Sequence, residues 1–299
     1  MKYGQMVLIL NVLMSGVSFS QPFSYPLQLI NCKDAELALR HKKGKGIPIV
    51  FIHGSWDDHS SWLPVASQLT QFSTNPIILY DRRGHSASPT PKGQGSIWQD
   101  VDDAGNMIET LGYKSAIIVG HSYGANIAIG LAERYPGKVH SLVLYEPPLF
   151  GLLRGIPEYV EILTASKKAL ESSKTLLEKG EIEQGTILFM EEVAFGKGSW
   201  EDALDDRMRH MFLSNYATWL DQSKDKSRLE IGVEHLLPVQ KEVTIMYGDK
   251  SLPIFQGVIL ELKKRLPDSR FKELPGASHA GIHTHRAPIT DMLKLLIAK

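Results

Sequence analysis

The chain has 299 residues and balances 33 Lys+Arg against 33 Asp+Glu, with 43% apolar and 22% charged residues. That is the profile of a globular protein long enough for one large core or a core with an insertion, and its neutrality argues against nucleic acid as a partner. The single cysteine, Cys32, excludes an intrachain disulfide and a cysteine-based zinc cluster, and no apolar run approaches the roughly 20 residues of a membrane span, so stable membrane insertion is not expected.

The first elements are read as a leader. Residues 1–5 carry one positive charge, Lys2, and the apolar segment Met6–Met14 follows, broken only by Asn11. Ser18-Phe19-Ser20 then places small residues where a signal peptidase cuts, and no acidic residue precedes Asp34. Residues 1–20 are therefore expected to be a signal peptide and the protein to be secreted or periplasmic. An ordinary apolar N-terminal helix is the alternative, with a cytoplasmic protein. Cys32 follows Leu29-Ile-Asn31, and Asn31 is bulky for a lipoprotein cleavage box, so no acyl anchor is expected.

Leu27–Asn31 and Glu36–His41, separated by a short polar turn, predict an antiparallel hairpin at a sheet edge. From residue 47 onward short apolar runs alternate with segments of helical period. The runs are Ile47–Ile52, Pro76–Tyr80, Ser115–Val119 and Val139–Tyr145, then, after a long gap, Val243–Tyr247 and Arg270–Leu274. Continuous rather than alternating apolar strands imply burial on both faces, hence a mostly parallel sheet covered by helices. The helices are expected over Ser61–Phe72, Ile97–Leu111, Tyr123–Tyr135, Pro253–Leu266 and Ile289–Ala298. The fold class is therefore α/β, a mostly parallel doubly wound sheet.

Residues 149–238 interrupt the alternation: rich in Glu, Lys, Leu and Met, they show helical periods and no convincing strand. Met208, Met211, Phe212, Tyr216 and Trp219 fall on one helical face, read as the insertion's own core with a minority lining a pocket. An all-helical insertion between parallel strands is a cap over their carboxyl ends, where open α/β sheets bind ligands. The expected organisation is a core of 21–148 and 239–299 with a helical cap of 149–238.

The most informative stretch is Ile117-Ile-Val-Gly120-His-Ser122-Tyr-Gly124, a strand running into G-x-S-x-G and directly into a helix. A turn this tight leaves no room for side chains at Gly120 and Gly124, and it holds Ser122 at its apex beside a helix N-terminus. Three further motifs accompany it: Phe51-Ile-His53-Gly54-Ser55-Trp56, Tyr80-Asp81-Arg-Arg-Gly84-His-Ser86 and Leu274-Pro-Gly-Ala-Ser-His279. In these, from about residue 27 to the end, the sequence resembles the α/β-hydrolase superfamily. The resemblance implies a nucleophile at Ser122 and a catalytic histidine at His279. It further implies an oxyanion hole made by the backbone N–H groups of Ser55 and Tyr123. His53 and His85 are read as structural loop residues, and His283 and His285 as solvated loop histidines rather than metal ligands.

A serine needs a base to become nucleophilic, and the base needs a carboxylate to fix its tautomer. Here the sequence departs from the family, which usually reads Gly-x-x-Asp after the strand Val243–Tyr247. This chain reads Gly248-Asp249-Lys250-Ser251. Glu146, at the end of the preceding strand, is favoured as the acid, with Asp249 as the alternative; some branches of the family take their acid from that strand end. The expected function is a serine hydrolase acting on a small-molecule ester or lactone through an acyl-enzyme, with no cofactor and no metal. The alternatives are a cofactor-free haloperoxidase or perhydrolase, a C–C bond hydrolase, or a non-catalytic receptor on the same scaffold. Serine at the elbow argues against a dehalogenase or epoxide hydrolase, which use aspartate there. The sequence sets no oligomeric state.

Overall fold

The computed structural model describes residues 23–89 and 95–297. The expected leader and Ala298, the last residue of the final expected helix, lie outside the described residues. Eight strands form one sheet: β1 (Leu27–Cys32), β2 (Ala35–Lys42), β3 (Ile49–Ile52), β4 (Ile77–Tyr80), β5 (Ala116–His121), β6 (Val139–Tyr145), β7 (Val243–Gly248) and β8 (Arg270–Leu274). Their order is β1-β2-β4-β3-β5-β6-β7-β8. The hairpin β1–β2 joins β4 antiparallel, and β4 through β8 run parallel.

The apolar runs become buried strands because each has helices on both sides. Val50, Ile52, Ile78, Ile118 and Leu144 pack on one face against α2 (Ile97–Thr110), α3 (Tyr123–Arg134) and α9 (Pro253–Arg265). Their neighbours Ile49, Phe51, Leu79, Val119 and Val143 pack on the other, against α1 (Leu63–Leu69) and α11 (Arg286–Ile297). Each such side chain contributes roughly 1.5–3 kcal/mol by leaving water. The helix α2 opens on a capping box in which Ser96 and Gln99 satisfy one another's backbone groups.

Between β6 and β7 lie α4 (Val160–Glu178), α5 (Ile182–Phe189), α6 (Ser199–Asp202), α7 (Asp206–Ser214) and α8 (Tyr216–Lys224), with no strand. Met208, Met211, Phe212 and Trp219 are buried in a cluster of these helices, and Tyr216 packs against it partly exposed. Trp56 and Ala280, from the loops after β3 and β8, belong to the same cluster, so the helices sit on those two loops. A one-turn helix, α10 (Gly281–Thr284), precedes α11 and has no periodic signal.

Chain topology places the site. From β3 the chain crosses to β4 on one side, while β5 lies on the other side of β3. Loops leaving the carboxyl ends of β3 and β5 therefore diverge and open a crevice at the switch point. Among the described residues, no helix is long and apolar enough to cross a membrane.

Candidate active site

Ser122 caps the N-terminus of α3 at φ +53° and ψ −126°, a conformation L-residues rarely hold. What holds it there is close packing of α3 on β3. A Cβ on Gly124 would collide with the Ile52 carbonyl and come within 2.6 Å of the His53 oxygen, and one on Gly120 would lie 2.5 Å from the Gly124 oxygen. The Ser122 amide donates to the Tyr145 carbonyl at 2.9 Å, fixing the bend to the end of β6. The turn is cramped in the way the G-x-S-x-G spacing implies.

Glu146 is the next residue after β6, and it too has a positive φ, +46°. Its carboxylate is 1% exposed and uses both oxygens. Oε2 lies 2.7 Å from His279 Nδ1, while Oε1 accepts from the Gly248 amide at 2.7 Å and from Ser251 Oγ at 2.5 Å. Ser251, which stands where the family usually has an acid, thus holds the far oxygen of Glu146. Asp249 is elsewhere: its Oδ1 accepts from the Gly276 amide at 2.6 Å, and its Oδ2 lies 3.6 Å from Lys250 Nζ. It braces the turn that leads to His279.

His279 is 2% exposed, with the Phe255 ring stacked on its imidazole at 3.9 Å between centroids and 19° between planes. Burial pushes its pKa down to about 4 against the opposing pull of the Glu146 hydrogen bond. The ring is therefore neutral at pH 7. A carboxylate can only accept, so Nδ1 carries the proton, inferred from the partner, and Nε2 is left as the basic nitrogen. Ser122, His279, Ser55 and Tyr123 line one cavity. No hydrogen bond joins Ser122 to His279 among the described residues; such a contact commonly tightens only around a reacting substrate.

The loop after β3 is fixed by charges the sequence does not advertise. The Arg82 guanidinium, 1% exposed, donates to the Gly54 carbonyl at 2.9 Å and pairs with Asp100 at 3.2 Å. His53 places Nδ1 2.9 Å from the Gly54 oxygen and accepts the Arg82 amide on Nε2 at 3.0 Å. His85 places Nδ1 3.0 Å from the Arg83 carbonyl and Nε2 3.0 Å from both the Ser55 oxygen and Arg82 Nη2. Burial, then the Arg82 charge, drives His53 well below its ordinary pKa and His85 to about 3. Both rings are neutral braces around the Gly54–Ser55 peptide.

One expectation is corrected. His283 is not a solvated loop residue: it is 7% exposed, with Nε2 3.5 Å from Asp57 Oδ1, because α10 folds it under the loop after β3. His121 brings Nδ1 within 3.4 Å of Asp57 Oδ2 and places Nε2 3.0 Å from the His279 carbonyl, which can only accept. Burial alone would raise the Asp57 pKa, but the neighbouring His121 and His283 rings outweigh it and hold the carboxyl well below the usual range. Asp57 also accepts from the Gly54 amide at 3.3 Å. One buried carboxylate therefore ties together the loops carrying Ser55, Ser122 and His279. His285 is half-buried, with Nδ1 2.8 Å from Thr284 Oγ1.

Asp58, His59 and Asp81 bring three ligand-type side chains together. Their atoms are already engaged: His59 Nδ1 lies 2.6 Å from Asp81, His59 Nε2 accepts from Arg40 at 3.1 Å, and Asp58 accepts from Ser60 and Ser86. With Nε2 accepting and Nδ1 protonated, His59 has no lone pair to offer a cation. The set braces the loops after β3 and β4.

The cavity walls are mostly apolar and aromatic, among them Trp56, Phe189, Phe195, Phe212, Trp219 and Phe255. Of the stripe Met208, Met211, Phe212, Tyr216 and Trp219, only Phe212 and Trp219 line it. Polar atoms are few: Gln222 Nε2 donates to Ser55 Oγ at 2.8 Å, and Arg228 reaches the wall between α8 and β7.

A mostly parallel sheet, a serine forced into a left-handed bend, and a buried imidazole–carboxylate pair at the strands' carboxyl ends define an α/β-hydrolase-fold enzyme. The family model described as alpha/beta hydrolase family matches residues 49–291, and the chain belongs to that family. An uncharacterized hydrolase of Bacillus subtilis (strain 168) is 35% identical over 115 residues, 38% of this chain and 42% of that protein. The 2-(acetamidomethylene)succinate hydrolase of Mesorhizobium japonicum is 26% identical over 253 residues, 80% of this chain and 83% of that protein. A thermophilic esterase from Thermogutta terrifontis superposes with a TM-score of 0.67 at 17% identity, over 91% of this chain and 98% of that one, which speaks to the fold.

Proposed function

We propose that the protein is a serine hydrolase that cleaves a small ester or lactone through an acyl-enzyme. The observation that carries this reading is the line from buried Glu146, through His279 Nδ1 at 2.7 Å, to an Nε2 that shares a cavity with the strained Ser122. In the proposed reaction Ser122 Oγ attacks the substrate carbonyl carbon while His279 Nε2 takes its proton. The amides of Ser55 and Tyr123 hold the developing oxyanion with donors that need no reorganisation. His279 then gives the proton to the leaving oxygen, whose bond to carbon breaks. Water repeats the sequence on the serine ester, releasing the acid and restoring the serine. Glu146 stays ionised and stabilises the imidazolium. Residues 149–238 act as a cap in this reading, since Phe189, Met190, Phe212 and Trp219 supply much of the cavity wall. Residues 1–20 are proposed as an export leader on their charge and apolar pattern alone.

The direct test is exposure to a fluorophosphonate probe, which reacts only with an activated serine. The expected result is one stoichiometric adduct, mapped by peptide mass spectrometry to Ser122. An unreactive protein that binds esters without turnover would identify a receptor instead.

A pH profile adds a second expectation. The base is active when neutral, and burial lowers the His279 pKa, so activity persists as pH falls. The acid limb of kcat/KM is expected below the ordinary ~6.5, towards about 4. An acid limb at or above 6.5 would contradict this assignment of the base.

A further inference from the structure

We propose that the substrate carries a carboxylate, and that Arg228 binds it; this deepens the hydrolase reading and rests on it for what happens afterwards. Arg228 lies between α8 and β7 and lines the cavity together with Ser122 and His279. It also lines an adjoining groove outside it. Its backbone is anchored to the helix behind the serine, because Asn126 Nδ2 in α3 donates to the Arg228 carbonyl at 3.0 Å.

The guanidinium is only partly answered by the protein. Nη1 donates to the Ser223 and Asp225 carbonyls at 3.1 and 2.8 Å, closing the end of α8. Among the described residues no carboxylate lies within ion-pair distance of it. Of the acids around it, Asp225 accepts from the Ile97 and Ser227 amides and from Ser227 Oγ, Glu230 pairs with Arg154 at 2.6 Å, and Glu171 acts on the guanidinium only from beyond ion-pair distance. Burial lowers the Arg228 pKa, yet a guanidinium does not deprotonate in proteins, so the charge stays. A half-buried cation beside an apolar wall is costly unless paired, and capping a helix needs only one of its nitrogens. The rest of the planar fork matches a carboxylate, which can take two parallel hydrogen bonds.

Two more cavity-lining polar atoms, Trp56 Nε1 and Gln222 Oε1, are buried without a partner among the described residues. They offer one donor and one acceptor to the same ligand. Outside, Lys167 and Lys226 flank Arg228 in the groove, opposed by Glu171 and the already paired Glu230. A mouth with this excess of positive charge draws anions toward the cavity.

The test compares the para-nitrophenyl esters of glutaric acid monoanion and of pentanoate, a pair differing mainly in a terminal carboxylate. The wild type is expected to favour the anionic ester by about tenfold or more in kcat/KM, chiefly through KM. In Arg228→Met the ratio should collapse towards one, and Arg228→Lys should retain part of it, because the charge remains without the fork. Circular dichroism of the variants checks folding. Calorimetry with glutarate reads the subsite without any chemistry: binding to wild type and not to Arg228→Met is expected. If esters are cleaved with no preference for the anion and glutarate does not bind, the subsite is refuted and the hydrolase reading stands. If glutarate binds through Arg228 while neither ester nor fluorophosphonate reacts, the subsite stands and the hydrolase reading falls.

Discussion

Ser122→Ala is expected to lower kcat on any ester the wild type cleaves by about 10⁴- to 10⁶-fold, the scale seen when an activated serine is removed. The loss is large because the proposed pathway has no second nucleophile at the bend; what survives is oxyanion stabilisation and binding. The fold should not suffer. Alanine meets the same strain at φ +53° that serine does, and the backbone bonds from Ser122 to Tyr145 and from Ala125 to Ser122 do not involve the hydroxyl. Steady-state hydrolysis beside a thermal melt separates the two quantities. A variant that kept more than a few per cent of wild-type kcat would remove Ser122 from the chemistry.

Glu146→Gln is expected to cost about 10⁴-fold in kcat, and Asp249→Asn no more than about threefold. The asymmetry follows from what each carboxylate touches. The Glu146 oxygen that faces the Gly248 amide and Ser251 Oγ must accept, so a glutamine there keeps its carbonyl on that side and turns its NH₂ towards His279 Nδ1. Two donors cannot face each other. The imidazole must then move its proton to Nε2, the nitrogen proposed to act as base, and lose its orientation. Asparagine at 249 can still accept the Gly276 amide that Asp249 accepts. Parallel kinetics on the two variants decide the matter, and a larger loss in Asp249→Asn would move the acid to that loop.

Much of the fold was legible because β3, β4, β5 and β7 are buried along their length, and burial on both faces leaves an unbroken apolar run. At β8 hydropathy was silent: Arg270–Leu274 is an edge strand with three exposed residues, and its place in the alternation identified it. The last helix begins at Arg286, ahead of the expected Ile289, because Pro288 is harmless in a first turn whose amides have no acceptors. Ser122 and His279 were marked by local motifs. Phe255 and Asp57 were not, and Ser251 was visible only as a departure from the family's Gly-x-x-Asp: each matters through a contact far along the chain. His283 misled for the same reason, since nothing in its neighbours announces that α10 turns it inward. A buried acid paired with two histidines has no spacing rule, so only packing reveals it.

Glu146 is followed directly by Pro147 and Pro148, and then by the helices that roof the cavity. A proline ring fixes its own backbone torsion near −65°. Two in succession make a stiff coupling rather than a hinge, so twisting of the roof is damped before it reaches the carboxylate.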